Sequence, residues 1–260
     1  MADLVIELNK NKKVYFASDF HLGLSAFTRQ EEIEREKKVV RWLSSIEKDA
    51  QAIFLVGDIY DFWFEYNHVV PKGYVRFLGK IANLTDNGIP VHFFTGNHDL
   101  WMFEYLPREL GVEVYKKPIE LQINESSFLV GHGDGLGPGD TFYKILKKIF
   151  TNSIPQWLFK WIHPDIGMGL ARKWSASSRI RKIGSDKEFL GEKEFLIQYC
   201  KNKEVEKHRD FYIFGHRHFP VGVEINDKSK YFNLGEWVYK FSFGEFDGET
   251  FKLNTFDDKS

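Results

Sequence analysis

A short apolar run, KVYFAS at residues 13–18, stops at the polar triplet Asp19-Phe20-His21, and the same change from apolar run to polar motif recurs four more times. Ala52 to Val56 stops at Gly57-Asp58-Ile59-Tyr60-Asp61, and Pro90 to Thr95 stops at Gly96-Asn97-His98-Asp99. Residues 126–130 lead into Gly131-His132-Gly133-Asp134, and Phe211 to Phe214 into Gly215-His216-Arg217-His218. Continuous runs of this length predict buried strands, each delivering its motif at a strand end. Between them, Ile33, Val40, Leu43 and Ile46 recur at helical spacing within 29–48. Phe77, Leu78, Ile81 and Leu84 do so within 72–85, where Asn87-Gly88 supplies a stop. The resulting β-α-β-α-β order predicts a parallel sheet with the motifs at the carboxyl ends of its strands, where open α/β sheets take their ligands. After residue 112 the pattern predicts short strands at 118–123, 126–130, 211–214, 220–225, 230–234 and 237–255, the last with a turn near Asp247-Gly248. The expected fold class is α/β: two mixed sheets packed face to face, flanked by helices, in one domain over 1–260.

One stretch departs from this scheme. From Asp140 to Gly184 the basic residues are Lys144, Lys147, Lys148, Lys160, Arg172, Lys173, Arg179, Arg181 and Lys182, opposed only by Asp140 and Asp165. Phe142, Ile145, Leu146, Ile149 and Phe150 recur there at helical spacing, followed by Trp157, Leu158, Phe159, Trp161 and Ile162. Two or three helices are therefore expected as an insertion over about 140–200, between the fourth and fifth motifs. It reads either as an extra layer with a solvated basic face or as a lid for a ligand with an anionic head and a greasy tail. The coincidence of basic and aromatic residues favours the lid.

Composition narrows the function classes. The chain has 260 residues, 17% of them aromatic with 25 Phe, and a formal net charge of −1. That balance does not indicate a nucleic-acid partner, and the basic residues fall in an aromatic insertion rather than a groove-length stripe. The single cysteine, Cys200, excludes an internal disulfide and suits a reducing compartment. Met1-Ala2-Asp3-Leu4 lacks the regions of a signal peptide, and no apolar stretch approaches the roughly 20 residues of a membrane span. A cytoplasmic protein is expected, able to touch a membrane surface. Nothing here indicates its oligomeric state.

The five motifs supply Asp, Asn and His in the number that two adjacent divalent metals require. Carboxylate and amide oxygens mixed with imidazole nitrogens suit Mn, Fe or Zn, whereas an all-oxygen set would suit Mg or Ca. No cysteine lies near a motif, so a thiolate zinc site is excluded. Asp19 and His21 stand two apart on an extended strand end, as do His216 and His218, so each pair is expected to point to one side. Singly, each of these residues is more often part of a turn. His68, His92, His163 and His208 read as histidines without a metal.

The joint pattern resembles the calcineurin-like metallophosphoesterase superfamily, over Asp19 to His218. That resemblance implies that Asp19, His21, Asp58 and His218 hold one metal, and that Asp58 (bridging), Asn97, His132 and His216 hold the other. His98 would face the phosphate, while Asp61 and Asp99 would support their neighbours. Two such metals share a hydroxide and clamp phosphoryl oxygens for in-line attack. His98 would neutralise charge on the phosphoryl group or protonate the leaving oxygen.

Within the superfamily, Gly57 to Phe64, His132-Gly133-Asp134 with Asp140 and Tyr143, the basic insertion and Leu234-Gly235-Glu236-Trp237 are most similar to the UDP-2,3-diacylglucosamine hydrolases, the pyrophosphatases of lipid A synthesis. The similarity implies attack on the phosphate nearer uridine, release of UMP and 2,3-diacylglucosamine 1-phosphate (lipid X), manganese as the metal, and a peripheral position on the cytoplasmic face of the inner membrane. It further implies substrate contacts from Asn97, His98, Asp140, Ser177, Arg179 and His216, with Asp140 at the glucosamine unit and Ser177 and Arg179 or Arg181 near the head group. One position departs: well-known members carry Arg where this chain has His98. A paralogue acting on another nucleotide-linked lipid or a soluble phosphodiester therefore stays open, as does, more remotely, a non-catalytic scaffold.

Overall fold

The structure, a computed structural model, describes residues 2–139, 141–171, 173 and 189–258. Twelve strands form two six-stranded mixed sheets. The first sheet has the order β12 (Phe251–Thr255), β11 (Ser242–Phe246), β2 (Lys13–Ala17), β3 (Ala50–Val56), β4 (Val91–Phe94) and β5 (Glu113–Tyr115). The second runs β1 (Leu4–Ile6), β6 (Ile119–Ile123), β7 (Ser126–Gly131), β8 (Phe211–Phe214), β10 (Lys230–Asn233) and β9 (Val221–Glu224). Strands β2 to β5 are parallel neighbours, as the β-α-β-α-β order requires, and β7, β8 and β10 are parallel in the other sheet.

Alternation along each strand builds the layers. On β2 and β3, Val14, Phe16, Ala52, Phe54 and Val56 point between the sheets to meet Phe128, Ile213 and Phe246. Tyr15, Ala17, Ile53 and Leu55 point the other way, onto Trp42 and Leu43 of α1 (Arg29–Ile46) and Phe77 and Ile81 of α2 (Val75–Asp86). This is the two-residue period of a sheet buried on both faces. Thr28 and Glu31 form a reciprocal capping box that starts α1. On the outer face of the second sheet, Leu196, Ile197 and Cys200 of α7 (Phe195–Glu206) cover Leu129, Tyr212 and Phe214.

Several expectations need correction. A short helix, α3 (Tyr105–Leu110), and strands β1 and β5 were not foreseen. The expected strand from 237 begins only at Ser242, because Glu236 accepts from the backbone N–H groups of Val238, Tyr239 and Lys240 and folds that segment into a turn. Within the stretch to about 200 expected as insertion, α7 starts at Phe195 and packs in the core. The inserted helices are α4 (Thr141–Phe150), α5 (Ser153–Lys160) and α6, helical over 164–171. On α4 the apolar stripe is turned outward: Phe142, Ile145 and Ile149 are exposed, whereas Tyr143, Leu146, Lys147 and Phe150 are half-buried.

Candidate metal centre

All five motifs leave the carboxyl ends of their strands on one edge of the sandwich, and backbone bonds tie neighbouring ends together. Asp19 N donates to Gly57 O at 3.0 Å, His21 N to Asp58 O at 2.9 Å, and Gly215 N to His132 O at 3.0 Å. Across the gap between the sheets, His216 N donates to Asp19 Oδ2 at 3.0 Å. The close approach leaves no room for side chains at two glycines. A Cβ on Gly57 would lie 2.5 Å from His132 Nδ1, and one on Gly96 would lie 2.2 Å from Asp58 Oδ1.

Three clusters of potential metal-binding atoms result: Asp19, His21, Asp58 and His218; Asp58, His132 and His216; and His21, Asp61 and His98. Asp58 belongs to the first two, with Oδ2 3.9 Å from His21 Nε2 and 3.3 Å from His132 Nε2. His218 Nε2 is 3.0 Å from Asp19 Oδ1, and the Nε2 atoms of His21 and His218 face each other at 3.3 Å. Asp19 Oδ1, Asn97 Oδ1 and His132 Nε2 are buried without a hydrogen-bond partner. Buried polar atoms are rarely left so, and divalent cations, one at the cluster that holds Asp19 and one at the cluster that holds His132, would give these atoms partners. The donor set therefore fits two such ions. His132 Nδ1 lies 2.9 Å from Val56 O and donates to it, which leaves Nε2 as the atom with a free lone pair.

The electrostatics agree. Burial alone would raise the Asp58 carboxyl, but the imidazoles of His132, His98 and His21 outweigh it and hold the group well below the usual carboxylate range. His132 is lowered by burial, yet the Asp58 carboxylate pushes it up to about 10. A site this hungry for positive charge takes a proton where no metal ion competes. Burial and the neighbouring Asp58 push Asp99 up to about 7, against four backbone N–H groups that hold its charged form.

Asp61 Oδ1 lies 3.8 Å from His21 Nδ1 and 3.7 Å from His98 Nδ1, between the two rings. His98 Nδ1 is 3.1 Å from Asp61 O, its backbone N donates to Asp58 Oδ1, and its ring stands edge-on to His21. Asp140, Ser177 and Arg179, with Arg181, lie outside the described residues. His92, His163 and His208 are in none of the clusters; His92 is stacked on Phe54.

The expected extended geometry at the paired ligands is not what is found. Asp19, His21, His216 and His218, together with Asp58, all have left-handed backbone conformations, with φ between 45° and 68°. Sequence reasoning also missed the braces. Arg35 of α1 donates to Phe20 O and His21 O while its guanidinium covers the Phe27 ring, and Glu32 accepts from Gly23 N. Trp237 N donates to Asp19 O, tying Leu234-Gly235-Glu236-Trp237 to the first motif. A buried-face position for a charged residue on an amphipathic helix was the available signal for Arg35.

A family model described as calcineurin-like phosphoesterase matches residues 12–220, which holds all five motifs. The chain belongs to this family. It is a hydrolase of the metallophosphoesterase type. A protein of Porphyromonas gingivalis named UDP-2,3-diacylglucosamine hydrolase is 36% identical over 95% of this chain and 98% of its own length. Proteins of the same name from Vibrio parahaemolyticus and Shewanella baltica are 26% and 21% identical, covering 92% and 86% of this chain and 96% and 89% of their own.

Proposed function

We propose that this metallophosphoesterase hydrolyses the diphosphate of UDP-2,3-diacylglucosamine at the uridine-proximal phosphate, giving UMP and 2,3-diacylglucosamine 1-phosphate. Asp19, His21, Asp58 and His218 would hold one divalent ion, and Asp58, Asn97, His132 and His216 the other, with Mn²⁺ the expected metal. Bound there, the ions supply an activated water and neutralise phosphoryl charge. His98 carries the cationic or proton-donating role toward the phosphoryl group, and the Asp61 carboxylate between His21 and His98 orients both rings. Asp99 fixes the backbone beneath Asp58. Asp140, Ser177 and Arg179 are assigned to the sugar-phosphate head group on the family resemblance alone.

The observation that carries the substrate is the inserted helical layer. It is joined to the third-motif loop by Trp101 Nε1, which donates to Phe150 O at 2.7 Å, and by Phe159 packed on Phe62, Phe64 and Trp101. Its surface exposes Phe142 (74%), Ile145, Ile154, Trp157 and Trp161 (75%), with Lys148 exposed on α4 and Lys160 half-buried over Phe103. Large apolar side chains exposed together mark an interaction surface. Mixed with lysines, they suit acyl chains and anionic headgroups. Among the described residues no helix is long and apolar enough to cross a membrane. The same surface suits a peripheral position on a membrane, and the family resemblance assigns that position to the cytoplasmic face of the inner membrane.

The deciding experiment incubates the purified protein and Mn²⁺ with UDP-2,3-diacylglucosamine and follows UMP release. Brisk hydrolysis of a soluble phosphodiester without UMP release would overturn the lipid assignment in favour of the paralogue that His98 leaves open.

A further inference from the structure

Besides its seat on Trp101, Phe62 and Phe64, the helical layer is fastened at its two roots, and both root contacts lie on loops that carry candidate ligands. At its entry, Lys147 and Tyr143 stand one turn apart on the inner side of α4. Lys147 Nζ is 2.7 Å from Asp134 Oδ2, and the Tyr143 hydroxyl donates to the same oxygen at 2.5 Å. Asp134 is 3% exposed and lies two residues after His132. At its exit, Glu194 (3% exposed) precedes α7 and receives Arg217 in a two-pronged contact, Nε to Oε2 and Nη2 to Oε1, both at 2.9 Å. Arg217 stands between His216 and His218. The two fastenings also touch. A Cβ on Gly137 would lie 2.3 Å from Phe195 O, and the Phe195 ring meets the His216 ring edge-on at 6.1 Å. The His132 and His216 rings are 5.1 Å apart.

Ion pairs such as Lys37–Glu34, with both side chains about half exposed, contribute little. The two root pairs differ because each carboxylate is buried, so removing its cation leaves a buried charge held only by neutral donors, the Tyr143 hydroxyl at Asp134 and Leu190 N at Glu194. That makes them geometrically strict. We propose that Asp134 and Glu194 are positioning residues: through Lys147 and Arg217 they clamp both roots of the helical layer to the loops bearing His132 and His216, fixing its height over the cluster of Asp58, His132 and His216. This rests on the reading of that cluster as a metal site. A substrate held by the layer then presents its phosphate at one distance from the site. A small ester that never touches the layer gains nothing from the clamps.

The test uses the full Mn²⁺-loaded chain as wild type, Lys147→Met, Lys147→Arg, Glu194→Gln and the doubly neutralised Asp134→Asn/Lys147→Met, the last in case a lone buried charge prevents folding. Hydrogen exchange reads the clamps without a substrate. Lys147→Met is expected to speed exchange at least tenfold in α4 and in residues 131–135 together, and Lys147→Arg to restore both. Glu194→Gln is expected to do the same for the start of α7 and residues 215–218. On UDP-2,3-diacylglucosamine, Lys147→Met should lose at least tenfold in kcat/KM while hydrolysis of bis(p-nitrophenyl) phosphate stays within threefold, with Lys147→Arg again restoring. Faster exchange confined to α4, or equal losses on both esters, would overturn the proposal. If the wild type releases no UMP, the substrate assignment falls, and the exchange measurement alone decides the clamps.

Discussion

Asp99 offers the sharpest test of how the site is built, because its carboxylate makes no contact with solvent and serves only backbone. Oδ1 accepts from Gly96 N at 2.7 Å and Asp58 N at 3.3 Å, and Oδ2 from Ile59 N at 2.8 Å and Tyr60 N at 3.3 Å. The loops after β3 and β4 are thus joined through one side chain. Asp99→Asn keeps one oxygen and turns the other position into a donor facing donors, so one short and one long bond are lost. At about 1–3 kcal/mol for each buried N–H left unpaired, weighted toward the short bond, the loss should be about 2–4 kcal/mol. Asp99→Ala removes both oxygens and should cost about 4–8 kcal/mol by the same reckoning. Urea unfolding of the metal-free protein at pH 8 measures this, a pH chosen because burial and Asp58 push Asp99 up to about 7. Near pH 5 the wild-type group is itself protonated, so the Asn penalty should shrink. A penalty below about 1 kcal/mol at pH 8 for either variant would refute the reasoning, being too small for even one lost buried bond.

Four further outcomes are expected. His98→Gln should lower turnover roughly 10²- to 10⁴-fold, the usual contribution of a positioned acid or base, while metal analysis still finds two ions; loss of metal would make His98 a ligand. The metal-free protein should lose thermal stability as pH rises from about 4 to about 10. The folded-state values of Asp99 (about 7) and His132 (about 10) lie above their ordinary ones, so the stability they give is complete at low pH and lost as each ionises or deprotonates; the gain in Tm on adding Mn²⁺ should accordingly be larger at pH 8 than at pH 6, and a gain independent of pH would contradict this. Phe142→Glu with Trp161→Glu should reduce sedimentation with phosphatidylglycerol vesicles at least tenfold, since each exposed side chain can bury about 1.5–3 kcal/mol of apolar surface; unchanged binding would remove the membrane assignment. Phe20→Ala should cost about 3–5 kcal/mol and also weaken metal affinity, whereas Phe128→Ala, at a similar cost but far along β7 from its motif, should leave affinity unchanged.

The parallel half of the fold was legible because its strands are buried on both faces and read as unbroken apolar runs. Strands β1 and β5 were not, being three residues long with Glu113 or flanking charges breaking the pattern. Helix α7 was absorbed into the insertion because its buried residues, Leu196, Ile197 and Cys200, lie among lysines and glutamates that resemble the preceding basic stretch. The outward turn of Phe142, Ile145 and Ile149 could not be read from periodicity at all. A 3.6-residue period says that a helix has an apolar face, not which way the face points, and here the inward direction is decided by Tyr143 and Lys147 reaching Asp134. That Asp19, His21, Asp58, His132, His216 and His218 gather at one edge was legible, because five motifs of the right residue types constrain one another in a way that no single motif does.

Their geometry was not, and the reason bears on how such sites arise. A strand end would have brought Asp19 and His21, or His216 and His218, to one side through the ordinary two-residue alternation. Instead both members of each pair are left-handed, a conformation costing about 1 kcal/mol or more for a residue other than glycine. With Asp58, five such residues store roughly 5 kcal/mol, comparable to the lower end of a domain's net stability. The surroundings that offset it are visible at the residue between each pair. Phe20 is driven into the core against Trp42, Phe77 and Trp237, and Arg217 is held by Glu194. Each central residue is thereby anchored, and the two motifs meet where Nε2 of His21, from the first, stands 3.3 Å from Nε2 of His218, from the fifth. Apolar packing does not reward that approach; the Nε2 pair stands within hydrogen-bonding reach, and the backbone strain concentrates where nitrogens and carboxylates gather, as it does at ligand sites.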